Sequence, residues 1–522
     1  GPMTLAGNSI IQCVMASGSM TLNGNITEGG SGFTGIMFIR GAGGTGFING
    51  NINLPSATFS KTDANNWWIN TNGHSWLNTN VVVGTVTLGI NDALVPAAPL
   101  ILGQNDANAV TVNLNGFNQT VASLASNPTV VGTFTTGKAI TSATPSVFTV
   151  SQFTSTIYAG LMTGRVSFVK EGSGTLTLSG ASTFTGNVTI NDGIINAAGA
   201  TVTSLGSATA GGRTVNVNAP ALLNFNTNNV YGNGVANLNL PATAVNGTTF
   251  HTTRYNVLGP VTLDSAILSQ DATDSGNYEG FQFRGGVTVA GSALSTILSV
   301  NGKANHLGPD TVFTVADAVP GSGTDLLVSS PLRNQSGDFA LAAGALTKAG
   351  PGTMELDRDS TYTGTTSING GTLRVNNPAG SATGTSAVAV NNGGTLAGAG
   401  SVGGPVTVNA GGTLSPGNSA GTLNTALTTL AGGSAIAWEI SDWTGSAGTG
   451  YDVLNATSLA ITATPSAPVV IRVSQVALAN FTAANRSFTL ATTSGITGFD
   501  SAAFFVDASG FSAGNGTWSV TR

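Results

Sequence analysis

The chain has 522 residues, of which 7% are charged, against about 25% in an ordinary soluble chain; its 73 glycines are roughly twice the usual share. So few Glu, Lys and Arg exclude an architecture of long amphipathic helices, whose wet faces need them, and a net charge of −6 with a pI near 4.9 excludes nucleic acid and anionic membranes as partners. A hydrophobic fraction of 41% excludes disorder, the lack of a run of about 18 apolar residues excludes a membrane-spanning helix, and glycine without a three-residue period excludes collagen.

What remains is a chain of short strands and glycine-bearing corners, read from runs of period-two alternation. Gly1-Pro-Met has no basic or apolar leader, so the sequence reads as a mature, partial or trimmed form. Residues 1 to about 80 hold alternating pieces such as Ser19-Met-Thr-Leu-Asn-Gly24. Cys13 is the only cysteine, so no internal disulfide forms; it is expected as a small buried hydrophobe. An aromatic-rich insert follows at about 60–80: Asn65-Asn-Trp-Trp-Ile-Asn-Thr-Asn-Gly-His-Ser-Trp76. Trp67, Trp68 and Trp76 are candidate binding residues, as exposed rings that stack on sugars or seat on a neighbouring subunit. The alternative is a lateral loop packed on its own coil.

Residues 81–135 read as coils, in Val81 to Leu88, Pro99 to Gly103 and Val110 to Val121, and 136–165 are looser. Lys170-Glu-Gly-Ser-Gly-Thr-Leu-Thr-Leu-Ser-Gly-Ala-Ser-Thr-Phe-Thr-Gly-Asn-Val-Thr-Ile-Asn-Asp-Gly193 then sets out a unit: strand, corner, strand, corner. Residues 236–345 are less regular and carry most of the Asp; there Asp271, Asp274 and Glu279 are candidate Ca²⁺ ligands on a glycine-containing loop, although the spacing fits no EF-hand. The unit returns without a gap at Lys348-Ala-Gly-Pro-Gly-Thr-Met-Glu-Leu-Asp-Arg-Asp-Ser-Thr-Tyr-Thr-Gly-Thr-Thr-Ser-Ile-Asn-Gly-Gly371. The shared framework is Lys170, Gly174, Leu176, Leu178, Phe184 and Gly186 in the first copy, and Lys348, Gly352, Met354, Leu356, Tyr362 and Gly364 in the second. Val388 to Leu396 returns as Val406 to Leu414, so the coil period is about 18 to 23 residues, as in a parallel β-helix. From Ala435 the strands lengthen, and 433–522 read as a C-terminal β cap or small β domain. The expected division is 1–165, 166–345, 346–432 and 433–522.

Lys170 to Gly193 and Lys348 to Gly371 resemble the autotransporter-associated β-strand repeat. Val112-Asn-Leu-Asn-Gly-Phe-Asn-Gln-Thr-Val121 and Gly412-Thr-Leu-Ser-Pro-Gly-Asn-Ser-Ala-Gly-Thr-Leu423 resemble stretches that accompany it. The resemblance implies an all-β, right-handed parallel β-helix, displayed or secreted outside a bacterial cell. It carries no catalytic motif. Its frequent companion, an outer-membrane barrel, has no matching strand array in Gly510 to Arg522. In the second copy Asp357-Arg-Asp359 replaces the pattern kept at Ser179-Gly-Ala181.

His74, His251 and His306 are far apart in sequence and from Cys13, and show no metal spacing. No nucleophile elbow or phosphate loop occurs. Glu355, Asp357 and Asp359 alternate on one outward strand face, about 7 Å per step, a spacing that suits a carboxylate pair acting on polysaccharide; the plainer reading is a polar outer face. The expectation is a non-enzymatic structural protein of a surface, matrix or fibre, whose partners are copies of itself, head to tail, or a cell-surface or matrix polysaccharide. A glycan-binding adhesin is the second reading and a polysaccharide-cleaving enzyme the third. No cofactor is expected beyond that Ca²⁺.

Overall fold

The structure is a computed structural model. It describes all residues except 6–10, 30–32, 42, 105–107, 128–136, 200–202, 208–210, 233–238, 275–277, 322, 336, 338–340 and 515. The described residues form strands and corners, with one short 3₁₀ turn at Ser501–Ala503 and no α-helix, hence none able to cross a membrane. The chain folds as two compact units, Gly1–Leu258 and Gly259–Arg522. Each is a parallel β-solenoid, as the alternation predicts.

In the first unit one sheet stacks Ile52–Lys61, Ser75–Val81, Pro99–Leu102 and Ser123–Ser126. Thr156 Oγ1 donating to Leu124 O, and Ala159 N to Ser126 Oγ, carry this stack on to Thr156–Tyr158, Thr175–Leu178, Ile194–Ala197, Leu222–Phe225 and Thr249–Thr252. The second sheet runs from Ser19–Leu22 through Asn66–Ile69, Gly84–Leu88, Lys138–Ser151 and Leu161–Glu171 to Ala242–Asn246. The second unit repeats the plan. One sheet includes Leu346–Ala349, Thr366–Ile368, Val388–Val390 and Val406–Val408, the other Thr353–Leu356, Gly371–Val375, Gly394–Gly398 and Thr413–Pro416. A third, short sheet of Phe281–Phe283, Asn305–Leu307 and Leu332–Asn334 is added between 281 and 334. The longer strands Ala435–Asp442, Val469–Ala479 and Phe504–Gly510 continue the second of these sheets.

Register explains the strands. In Thr175–Leu178 the leucines are inside and the threonines half-exposed. Leu176 lies on Ile195, Ile195 on Leu223, and Leu223 on Phe250, all fully buried. Met354, Leu373, Leu396, Leu414, Ile436 and Ile471 make the same kind of column in the second unit. Each such side chain contributes roughly 1.5–3 kcal/mol by burial. At the corners asparagines stack as amide ladders: Asn49 donates to Asn23 and Asn70 to Asn49, each at 2.8 Å. Asn191, Asn218 and Asn246 form a second ladder, and Asn369, Asn391 and Asn409 a third.

The aromatic stretch is a correction. It is no insert but part of a coil, in strands Asn66–Ile69 and Ser75–Val81. Adjacent residues of a strand face opposite ways, so Trp67 turns into the bore, fully buried, while Trp68 faces out half-buried. The neighbouring coil makes room for the indole with Gly46, where a Cβ would lie 2.2 Å from the Trp67 ring. Trp76 is also buried, stacked between Phe59 and His74, with its Nε1 donating to Thr79 Oγ1 at 2.7 Å. The expected exposed platform is therefore absent. Cys13 lies on Ile11–Met15; its side chain is outside the described residues, so the expected burial is left open.

His74 joins that packing. Its Nδ1 accepts from Ile52 N at 2.9 Å and its Nε2 lies 3.0 Å from Thr71 O, an arrangement that needs a neutral ring protonated at Nε2. Burial, opposed by the Thr71 carbonyl, lowers the imidazole to about 4. Unfolded histidine titrates near 6.5, so between about 4 and 6.5 the unfolded chain binds the extra proton and stability falls as pH falls. Urea unfolding at pH 7.5 and pH 5 should show a loss on the order of 2 kcal/mol or less from this residue. The same comparison in His74→Asn, which keeps an acceptor, should show a smaller loss.

Candidate functional site

The repeat framework comes first, because its residues recur. Lys170 and Lys348 sit at strand ends with no exposed surface. The Lys170 ammonium donates to Glu171 O at 2.8 Å, to Gly172 O, and to Asp192 O of the next coil at 3.2 Å. Lys348 donates to Ala349 O at 3.0 Å, and to Gly350 O and Gly370 O at 2.9 Å. Three N–H groups meet three carbonyls, which is how a charge is kept inside. Burial still lowers both ammoniums, Lys348 to about 8 against the raising influence of Asp325, and Lys170 against Asp192 and Glu171. Phe184 and Tyr362 fill the next bore position, with the Tyr362 hydroxyl 2.6 Å from Thr366 Oγ1. Gly186 and Gly364 let coils touch: a Cβ there would lie 2.3 Å from Val166 O and 2.4 Å from Gly344 O.

The densest charge lies beside the short third sheet. Glu279 is 3% exposed. Its Oε1 meets Lys303 Nζ at 3.2 Å, and its Oε2 meets Arg333 Nη1 and Ala304 N at 3.1 Å each. Burial pushes its carboxyl up, but these donors outweigh burial and hold it below the usual range. His306 and Gln282 stack in register on the sheet, both buried, with His306 paired to Arg333 on the other side. Burial lowers the His306 imidazole, against the Asn334 carbonyl at 2.9 Å and the Glu279 carboxylate, which favour the charged ring.

This arrangement takes Glu279 out of the calcium expectation. Glu279 is taken up by two cations and a backbone N–H, and among the described residues no three His, Cys, Asp or Glu side chains converge on a metal-sized space. Asp271 and Asp274 lie half-buried on the preceding segment, and 275–277 of that loop are outside the described residues. Lys303 and Arg333 went unnoticed in the sequence, and His306 was noted there only for its lack of metal spacing. Their only signal was a cluster of charge in a chain that has little.

The acidic stretch departs from the expected single strand face: the strand ends at Leu356, so Glu355 is on it while Asp357 and Asp359 follow in the corner, all three half-buried. Neighbouring coils hold each carboxylate. Glu355 accepts from Thr324 Oγ1 at 2.7 Å and Asn376 Nδ2 at 2.8 Å, with Arg374 Nη1 3.7 Å away. Asp357 accepts from Ser329 Oγ at 2.9 Å and Asp359 from Asn377 Nδ2 at 2.7 Å. These are coil-to-coil contacts like the amide ladders. One concavity, of about 780 Å³, lies at the last coils of the second unit. Bore side chains such as Leu454 and Ile471 line it, together with Phe488 and Trp518, whose rings stack at 6.2 Å.

Comparison with known proteins agrees with the repeat geometry. The family model "Passenger-associated-transport-repeat" matches residues 168–197 and 346–375, the two coils anchored by Lys170 and Lys348. Over 234 residues, 42% of this chain, the sequence is 28% identical to "Adhesin BmaC autotransporter" of Brucella suis biovar 1 (strain 1330). The chain spans about 6% of the length of that curated relative.

Removing the carboxylate beside the third sheet leaves two cations facing each other. Glu279→Gln should lower stability by about 1–3 kcal/mol in urea unfolding. Arg333→Gln, which leaves Glu279 its Lys303 partner and backbone N–H, should cost less.

Proposed function

We propose that this chain, which carries two autotransporter-associated repeats, is a length of extracellular passenger whose work is mechanical: a non-enzymatic, surface-displayed or secreted β-solenoid. The observation that carries this reading is the uniformity of the coil contacts. Apolar columns, amide ladders and carbonyl-bound lysines all join one coil to the next, and even the outward carboxylates Glu355, Asp357 and Asp359 are engaged in such joins. Passenger-type repeats and an autotransporter adhesin as relative support a role outside the cell, in adhesion or in holding an adhesive part away from the surface.

The finer reading is end-to-end association of copies. Phe504–Gly510 pairs with Val469–Ala479, and Met3–Leu5 with Ile26–Glu28. Each has a second edge of parallel-strand geometry on which another coil can stack, and Phe505 and Met3 are 57% and 47% exposed there. Glycan capture through Trp67 and Trp76 loses its support, because neither ring is on the surface.

Negative-stain microscopy with sedimentation over rising concentration tests the association. Particles that lengthen as concentration rises are expected. A single monomeric species at the highest concentration overturns end-to-end association. The non-enzymatic reading is tested separately, by incubating the chain with surface polysaccharides and measuring viscosity, which should not fall.

A further inference from the structure

The chain has five lysines, and four of them, Lys61, Lys138, Lys170 and Lys348, are at most 1% exposed. In an acidic, water-facing solenoid a lysine is thus mostly an internal residue. Two of the four belong to the matched repeats. Lys61 lies outside them, in a stretch whose sequence shares little with either, yet it makes the same contacts. Its ammonium donates to Thr62 O at 2.9 Å, Asp63 O at 2.6 Å and Val83 O at 3.0 Å. The separations are 1, 2 and 22 residues, the same as for Lys170 and for Lys348.

The backbone agrees. The second residue after each lysine is left-handed: Asp63, Gly172 and Gly350 have φ of 69°, 73° and 78°. The glycine that meets the lysine from the next coil is left-handed too: Gly84, Gly193 and Gly371, with φ of 84°, 69° and 61°. A Cβ on Gly84 would lie 2.8 Å from Lys61 Nζ, as one on Gly193 would from Lys170 Nζ. In the next coil Lys61 pairs with Val81, Lys170 with Ile190 and Lys348 with Ile368, all β-branched. Asp serves at position 63 because it tolerates the left-handed region. The Lys61 corner lies on the first sheet of its unit and the Lys170 corner on the second, so the device is not tied to one side of the coil.

We infer that residues 61–84 are a third working copy of the lysine corner, and that the three corners are register locks. The strands are short and repetitive: Val388–Val390 reads Val-Ala-Val and pairs with Val406–Val408, which reads Val-Thr-Val. A slip of two residues keeps valine inside and threonine outside, so hydrophobic pattern alone specifies such a pairing weakly. A lysine whose three N–H groups need three particular carbonyls does not survive that slip, because it would leave a buried charge and three buried acceptors without partners.

Hydrogen exchange and disulfide trapping test this. In Lys61→Met, amides of 59–66 and 81–86 should lose protection about tenfold or more while distant coils keep theirs, with matching local losses around 170–193 in Lys170→Met and 348–371 in Lys348→Met. For register, in a Cys13→Ser background, Thr58→Cys with Asn78→Cys probes the observed pairing and Thr58→Cys with Asn80→Cys a two-residue slip. Only the first pair should close with Lys61 present, and both should close in Lys61→Met. Unchanged exchange around Lys61, with losses in the other two variants, overturns the third copy; unchanged register in Lys61→Met overturns the lock. Should Lys61→Met not fold, Gly84→Ala keeps the lysine but crowds its corner, and wild-type protection at 81–86 in that variant overturns the assignment.

Discussion

Everything in this fold follows from one constraint: a residue in a parallel, in-register stack lies against its own counterpart in the coils before and after it. A bore position is therefore a column rather than a site. Leu176 is acceptable because Ile195, Leu223 and Phe250 continue it, and Trp67 because the coil before it offers Gly46. The same constraint turns an outward asparagine into a rung and an outward carboxylate into an acceptor for its neighbour. Polar chemistry that would be free on a globular surface is here divided among coils. That is why acidic residues at a spacing suited to catalysis serve as contacts in the structure.

Much of this was legible in the residues. Alternation in Thr175–Leu178 and the gap-free return at Lys348 specified strand, corner and coil, since a repeat that preserves alternation and glycine spacing has few ways to fold. The aromatic stretch was misread because three tryptophans beside Asn and His look like a surface, and nothing local shows that Gly46, some twenty residues earlier, leaves a space for one of them. The third sheet was illegible for another reason. Residues 281–334 spend three extra strands of only three residues each, too short to display a period, and three of their polar members, Gln282, Asn305 and His306, are buried. The Lys61 corner hid because its essentials are one lysine, one left-handed residue and one glycine, spread over more than twenty positions.

Charge is sparse but not incidental. Lys170 and Lys348 satisfy carbonyls that a coil corner turns inward, where water does not reach. Glu279 holds Lys303 and Arg333 beside the third sheet. Asp452, 1% exposed, accepts from Gly421 N at 3.0 Å and Glu439 N at 2.9 Å, joining the corner of one coil to the strand of another. Burial, with Glu439 nearby, raises its carboxyl to about 8 against those two N–H groups. In each case the side chain stands where a buried backbone group of a neighbouring coil or corner needs a partner.

The amide ladders have a direction. Asn49 gives its hydrogen to Asn23 and Asn70 to Asn49; Asn218 gives to Asn191 and Asn246 to Asn218. In the second unit Asn391 gives to Asn369, Asn409 to Asn391 and Asn455 to Asn424. Each bond points from the later coil back to the earlier one, so the side-chain dipoles add head to tail, as peptide dipoles do along a helix. A solenoid built this way is electrically asymmetric along its winding even where it carries no net charge. Amide hydrogens thus point to the early side of each ladder and carbonyl oxygens to the late side, so the two sides of a coil differ in polarity down to single side chains.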